Sequence, residues 1–411
     1  MVCQGRAKRL LWMCTVLAVP IMPGRAAGQT VATPETAPVQ FWQFGLTPRV
    51  SIVSGIDTNV FNEAESSRED LTSTVTTDIA LSWRAGRVRF GGSGQHNYLY
   101  FREFARERSS GGATELRAEV PINRVTVYAA GSYLNTRERP GLEIDERARR
   151  VSSRAGTGLQ IRLMTKTSLD IDASRSAVAF ADSASTSLRE ALNHESDTVN
   201  VGVRYALTPL TTLRLRGEAM RDRFEFSPLR DADSVRVMSG VDLAQLALIS
   251  GQVLVGFRRF APSHPEVPRF AGFVASVGVG YTWRSRTRLS FDFNRDLNYA
   301  TDPREPYYVF NDLRSGVTVH ITDKWDATAA ASRQLLDYRE REGVASGIAA
   351  LTVSGPLVSR DQGQSYTAGA GYRINPLVRI GVDARYFSRQ GTVATRTFEG
   401  WRLGTSVTYG R

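Results

Sequence analysis

The sequence predicts an all-β fold: a transmembrane, antiparallel, up-and-down β-barrel of about 18 strands, with about 16 as the alternative count. Short turns would face the periplasm and long loops the outside. Three observations carry this expectation. Apolar and polar residues alternate with period two along most of the chain. Short and long connections alternate without a break. Aromatic residues gather at both ends of the expected strands.

The leader comes first. Arg6, Lys8 and Arg9 precede the apolar run Leu10–Met22, and the small residues Gly24, Ala26, Ala27 and Gly28 follow. Residues 1–28 therefore read as a secretory signal, cleaved after Ala26 or Gly28. A lipoprotein signal needs a small residue before its cysteine, and Met13 precedes Cys14. Both cysteines, Cys3 and Cys14, lie in this leader, so no disulfide or thiolate chemistry is expected after cleavage. The formal charge is +11, and Arg6, Lys8, Arg9 and Arg25 belong to the leader, which leaves +7. Nearly all of that positive charge is arginine, spread along the strands rather than gathered with aromatics into a patch. Nucleic acid is not an expected partner.

Residues 29–44, rich in Thr, Ala and Pro and without periodicity, read as a flexible periplasmic extension, and residues 45–411 as the barrel. The pattern is plain around Leu207–Thr211. Val199, Val201, Val203 and Tyr205 alternate with Asn200, Gly202 and Arg204 before the turn, and Leu213 and Leu215 alternate with Arg214 and Arg216 after it. Eight such short turns give about 16 strands, and a first and a last strand raise the count to about 18. Each long connection is rich in Arg, Glu, Asp, Ser, Gly and Pro, and a soluble sandwich has no reason to put every long loop at one end.

Charge cannot face lipid near the midplane without a cost of about 2–4 kcal/mol for Arg. The polar face is therefore the lumen. Its expected lining includes Arg150, Arg154, Arg162, Arg204, Arg214, Arg216, Arg258, Arg288, Arg373, Arg379, Arg385 and Arg402. Expected acids there include Asp78, Glu115, Glu119, Asp170, Asp172, Glu218, Asp242, Asp292 and Asp383. Arginine exceeds acid, so a field favouring anions is expected, while pairing of Arg with Asp across strands competes with that reading. The insertion Arg341–Gly363 contains an apolar run, Gly347–Gly355, that is odd for an exposed loop. Inward folding, extension of the flanking strands and an extra hairpin all remain open for it.

No catalytic, cofactor or metal site is expected. His96, His194, His264 and His320 lie in separate elements without ligand spacing. His194 beside Glu195 is the nearest thing to a rim hydrolase site, and a solvated surface histidine is the simpler reading.

The last strand, Trp401–Arg411, resembles the terminal strand of outer-membrane proteins, with its aromatic at Tyr409 followed by Gly410 and Arg411 rather than at the end. The first strand ends Gly55-Ile56-Asp57-Thr58-Asn59-Val60-Phe61. This resembles the G-Y-D-S-N-hydrophobic entry of a broad family of outer-membrane β-barrel porins often found near exopolysaccharide loci, with Ile56 replacing the usual aromatic. The resemblance implies an outer-membrane barrel in contact with lipid, lipopolysaccharide and the assembly machinery. A barrel of about 18 strands with an arginine-rich lumen sets the expectation of a channel for small polar or anionic solutes. A conduit or docking component for secreted polysaccharide, and a closed structural or adhesive barrel, are the two competing expectations.

Overall fold

The computed structural model describes residues 39–41, 44–181, 186–244, 248–342, 358–393 and 396–410; the leader lies outside them. A three-residue strand β1 (Val39–Phe41) folds back on β2 (Phe44–Asp57), so part of the expected extension is already sheet. There follow β3 (Asp70–Ala85), β4 (Val88–Phe101), β5 (Ser109–Ile122), β6 (Val125–Thr136), β7 (Arg150–Arg162), β8 (Thr167–Phe180) and β9 (His194–Thr208). The chain continues through β10 (Thr211–Phe224), β11 (Ala232–Leu243), β12 (Ile249–Pro262), β13 (Phe270–Trp283), β14 (Thr287–Tyr299) and β15 (Tyr307–His320). It ends with β16 (Trp325–Arg339), β17 (Arg360–Asn375), β18 (Val378–Gly391) and β19 (Phe398–Gly410). One short helix, α1 (Thr186–Leu192), sits in the β8–β9 connection.

From β2 onward each strand pairs antiparallel with the next, and β19 returns to β2 through Arg402–Asp57 to Gly410–Arg49. The result is a closed barrel of 18 strands. Closure is obligatory here, because a sheet edge in hydrocarbon would leave a row of unsatisfied backbone groups. The turns sharpen at the periplasmic end. Between β13 and β14, Arg284 and Ser285 both have positive φ, 50° and 57°, the geometry that matches the twist of a tight hairpin.

Registers sort the two faces as the periodicity predicts. Val199, Val201, Val203, Leu213 and Leu215 are exposed on the outer wall, while Asn200 and Glu218 are buried on the inner one. The outer aromatics form a lower rim that includes the stacked Phe44, Trp83 and Phe90, and Trp325 against Tyr372. The expected upper girdle needs correction. Tyr98, Tyr366 and Tyr386 do point outward, but Phe180, Phe224, Phe260, Tyr307, Tyr308 and Tyr338 are buried. They are covered because the extracellular connections fold over the mouth, and Tyr307 and Tyr308, adjacent in β15, are buried on opposite faces of it.

The β14–β15 hairpin parts from β13 near the mouth. β13 and β14 pair only as far as Ala275–Arg295, although both strands continue above that point. Phe273 and Leu297 would be the next partners on that side of the ladder. Instead the Phe273 carbonyl accepts from Arg295 Nε at 3.2 Å, and the Leu297 N–H donates to Asp296 Oδ1 at 2.8 Å. Side chains thus replace the lost ladder bonds, as buried backbone groups require. Freed from β13, the tip packs one face on Ala232, Phe260 and Val267 and the other on Leu336 and Leu142.

Substituting Leu215→Arg on the outer wall is expected to cost about 2–4 kcal/mol, read from equilibrium unfolding in vesicles. The same charge at inward-facing Thr212 is expected to cost much less.

Candidate functional site

The barrel interior is the candidate site, with a wall of charged side chains below and a folded mouth above. All twelve predicted arginines fall on the inward register of their strands. They then divide. Arg204 pairs with Asp170, Arg214 with Asp242 at 3.2 Å, and Arg258 with Asp296 at 2.7 Å. Arg216 donates to Asn200 at 2.8 Å and lies 3.4 Å from Glu218. Asp326 takes Arg379 at 2.5 Å with Arg373 at 3.9 Å, and Arg402 pairs with Asp57 at 2.6 Å. The other five, Arg150, Arg154, Arg162, Arg288 and Arg385, have no carboxylate within 4.0 Å among the described residues; Arg154 donates to Ser174 at 2.8 Å. Arg150 and Arg385 each keep a buried Nε without a partner.

The mouth is built around Glu143, in the connection between β6 and β7. Leu142 and Ile144 anchor it on two sides: Leu142 packs against Tyr308, Phe310 and Leu336, and Ile144 against Phe180 and the helix residues Leu188 and Leu192. Between them the Glu143 carboxylate accepts from Thr301 N at 2.7 Å, Thr301 Oγ1 at 2.6 Å, Arg396 Nη2 at 3.2 Å and the Tyr338 hydroxyl. Arg230, also buried, donates to the carbonyls of Ala300 at 3.1 Å and Thr301 at 2.8 Å. One acid and one base therefore hold both sides of the β14–β15 turn. Asp145 extends the same loop across the mouth, accepting from Asn62 at 2.6 Å and pairing with Arg389, which also holds Asp361 at 2.5 Å.

Burial sets the electrostatics of these loops. It depresses the Arg230 guanidinium to about 10. Burial, aided by the charges of Arg139 and Arg402, does the same to Arg147. It works against Arg396 too, but Tyr338, Glu143 and Asp361 outweigh it and raise that group. Glu305, in the β14–β15 turn, is pushed up to about 7 by burial, against a hydrogen bond that it accepts from Val358 N at 3.1 Å.

Several residues of the mouth went unmarked by periodicity: Glu143, Arg230, Asp296, Arg389 and Arg396. One signal did point to them. Tyr307-Tyr308-Val309-Phe310 breaks the alternation with four consecutive buried residues, the mark of a strand covered on both faces. Among the described residues, the loop 137–149 crosses the mouth, reaching Asn62, Thr301 and Arg396. Of the insertion Arg341–Gly363, Arg360–Gly363 simply extend β17, and its apolar run Gly347–Gly355 lies outside the described residues. His194 is not a solvated surface group either. Its Nδ1 lies 2.7 Å from the Leu192 carbonyl and its ring stacks on Phe224, while Glu195 points outward to Arg175. Alternation along β9 separates the two.

A closed 18-strand barrel with an aliphatic exterior, a charged interior and inward-folded loops at one end defines an outer-membrane barrel of the porin type. The chain belongs to the family described as "Putative beta-barrel porin 2", whose model matches residues 38–411. No curated protein matches it. Among solved structures, Pseudomonas aeruginosa OpdK with vanillate is similar at 9% identity and a TM-score of 0.45, covering 89% of this chain and 99% of that one. OccK2 (OpdF) of the same organism, in complex with glucuronate, stands at 11% and 0.47, covering 89% and 98%. The FrpB iron transporter of Neisseria meningitidis, as apoprotein, stands at 10% and 0.44, covering 84% and 62%.

Two outcomes follow from the mouth. Glu143→Ala leaves Arg396 with Asp361 alone, at 3.2 Å, and strips Thr301 N–H and Oγ1 of their acceptor; it is expected to cost about 1–3 kcal/mol of loop docking, seen as faster amide exchange at Thr301 and larger single-channel conductance. Glu305 has a folded pKa raised above its unfolded value, so the protonated form favours the docked turn. Docking is strongest below about pH 4.5 and weakens as pH rises towards about 7. Exchange at 300–306 is expected to speed up across that window, and Glu305→Gln should flatten the profile.

Proposed function

We propose that the chain is a channel through which small anionic solutes diffuse passively, and that it works by transport rather than catalysis. The supporting observation is the imbalance on the inner wall. Arg150, Arg154 and Arg162 run down β7, and Arg288 and Arg385 stand on β14 and β18, without acids in ion-pair reach among the described residues. A paired guanidinium presents a dipole to a passing ion and an unpaired one presents a full charge. At about 6 Å and an effective dielectric near 20, one unpaired charge attracts a monovalent anion by roughly 3 kcal/mol. That is enough to concentrate anions without trapping them, which conduction requires.

Arg162 and Arg288 are exposed at the periplasmic end of the wall, whereas inward residues towards the other end are buried beneath the loops. Passage therefore depends on the loops parting, against the buried ion pairs of Glu143, Asp145 and Asp361.

The experiment is planar-bilayer recording in a salt gradient. An anion-directed reversal potential is expected, and Arg150→Ser with Arg154→Ser and Arg385→Ser should lower the anion-to-cation permeability ratio several-fold. Cation preference in the unsubstituted protein, or no stable conductance, would overturn the reading.

A further inference from the structure

The outer wall at the extracellular rim is not uniform around the barrel. On one half the outward positions are aromatic: Tyr98 on β4, Tyr133 on β6, Tyr366 on β17, Tyr386 on β18 and Trp401 on β19. On the other half, the alternate strands β8, β10, β12, β14 and β16 carry outward arginines at that level. That half divides again. On β8–β11, Arg175 pairs with Glu195, and Arg223 with Asp233 at 2.9 Å with Arg221 at 3.5 Å. From β12 to β16 the arginines are Arg259, Arg295 and Arg333, and no acid lies within 4.0 Å of any of them among the described residues. Arg295 touches the Phe273 carbonyl and Asn311, and Arg333 touches Gln362. No acidic side chain faces outward on β12–β15 among the described residues, and on β16 the outward Asp337 is taken by Arg360 at 3.4 Å.

We propose that the face from β12 to β16 is a docking surface for a phosphate-bearing, acylated lipid of the outer leaflet. The level is right for a headgroup. Arg259 lies ten residues along β12 from Ile249, and Arg333 eight along β16 from Trp325. At about 3.3 Å per residue and a tilt near 40°, these arginines stand roughly 20–25 Å above the lower rim, the height of the apolar band. Alternate strands space them by about 10 Å around the wall.

Below them the surface suits acyl chains. Phe257 is 69% exposed and meets Phe273 edge-on at 6.4 Å under Arg259. A groove lined by Leu313, Ser315, Ala331 and Tyr366 runs beneath Arg333 and Gln364. Its floor is small because Ser315 and Ala331 lie opposite each other in the ladder. Unpaired cations above an apolar groove complement an anionic head above alkyl chains. A neutral amphiphile would leave three guanidinium groups at the membrane surface without counter-charge. The inference rests on the outer wall alone and stands apart from which solute uses the lumen.

The test is native mass spectrometry of the full-length protein in zwitterionic detergent, titrated with a bis-phosphorylated, multiply acylated glycolipid and with the same lipid dephosphorylated. The unsubstituted protein is expected to retain the phosphorylated form preferentially. R259Q/R295Q/R333Q should reduce that retention at least about tenfold, whereas R175Q/R221Q/R223Q on the acid-paired arc should change it less than about twofold. Arg295 also caps a backbone carbonyl, so R259Q/R333Q, which touches no backbone group, provides the same reading if the triple variant fails to fold. Equal retention of both lipids, equal loss in the two arcs, or no retained lipid would each overturn the proposal.

Discussion

The structure depends on one constraint: in hydrocarbon, every backbone N–H and C=O must find its partner inside the protein. The β19–β2 ladder from Arg402–Asp57 to Gly410–Arg49 meets it by removing the last sheet edge. The β13–β14 seam shows how strict the rule is. Where the two strands part above Ala275–Arg295, Arg295 and Asp296 lend side chains to the freed carbonyl and amide. Asp296 is in turn held by Arg236 at 2.6 Å and Arg258 at 2.7 Å. A backbone vacancy is thus tied to a charged network inside the barrel.

Inside the barrel and its mouth arginine serves three purposes, and neighbours decide which. On the inner wall near β9–β12 it pairs with acids across strands and fills space. On β7 it stands without them among the described residues. In the mouth it is buried and bonds carbonyls, as Arg230 does, or acids, as Arg389 and Arg396 do. A guanidinium suits all three because it keeps its charge under desolvation and offers five donors in a fixed fork.

The wall was legible in the sequence because a strand in a barrel has only two faces. Alternation over residues such as Val199–Tyr205 and Leu213–Arg216 is enough to say which side chains meet lipid and which do not. The inward register of the twelve arginines followed from the same rule. Pairing did not. Whether Arg204 meets Asp170 or Arg154 meets only Ser174 depends on cross-strand register and rotamer, which alternation within a strand does not contain. The mouth was least legible, since its contacts join residues as distant as Glu143 and Arg396 through loops without periodicity.

By itself the sequence determined an exported chain, a barrel of about 18 strands, its inside and outside, and an excess of arginine within. Each of these depends on local pattern, connection length or composition. Only the tertiary structure decided that the loop 137–149 crosses the mouth, that upper aromatics such as Phe224 and Tyr338 are buried beneath the connections, and which arginines stand without acids among the described residues. These are outcomes of packing between strands far apart in the chain. Their energies arise from the desolvation of particular pairs rather than from any periodicity.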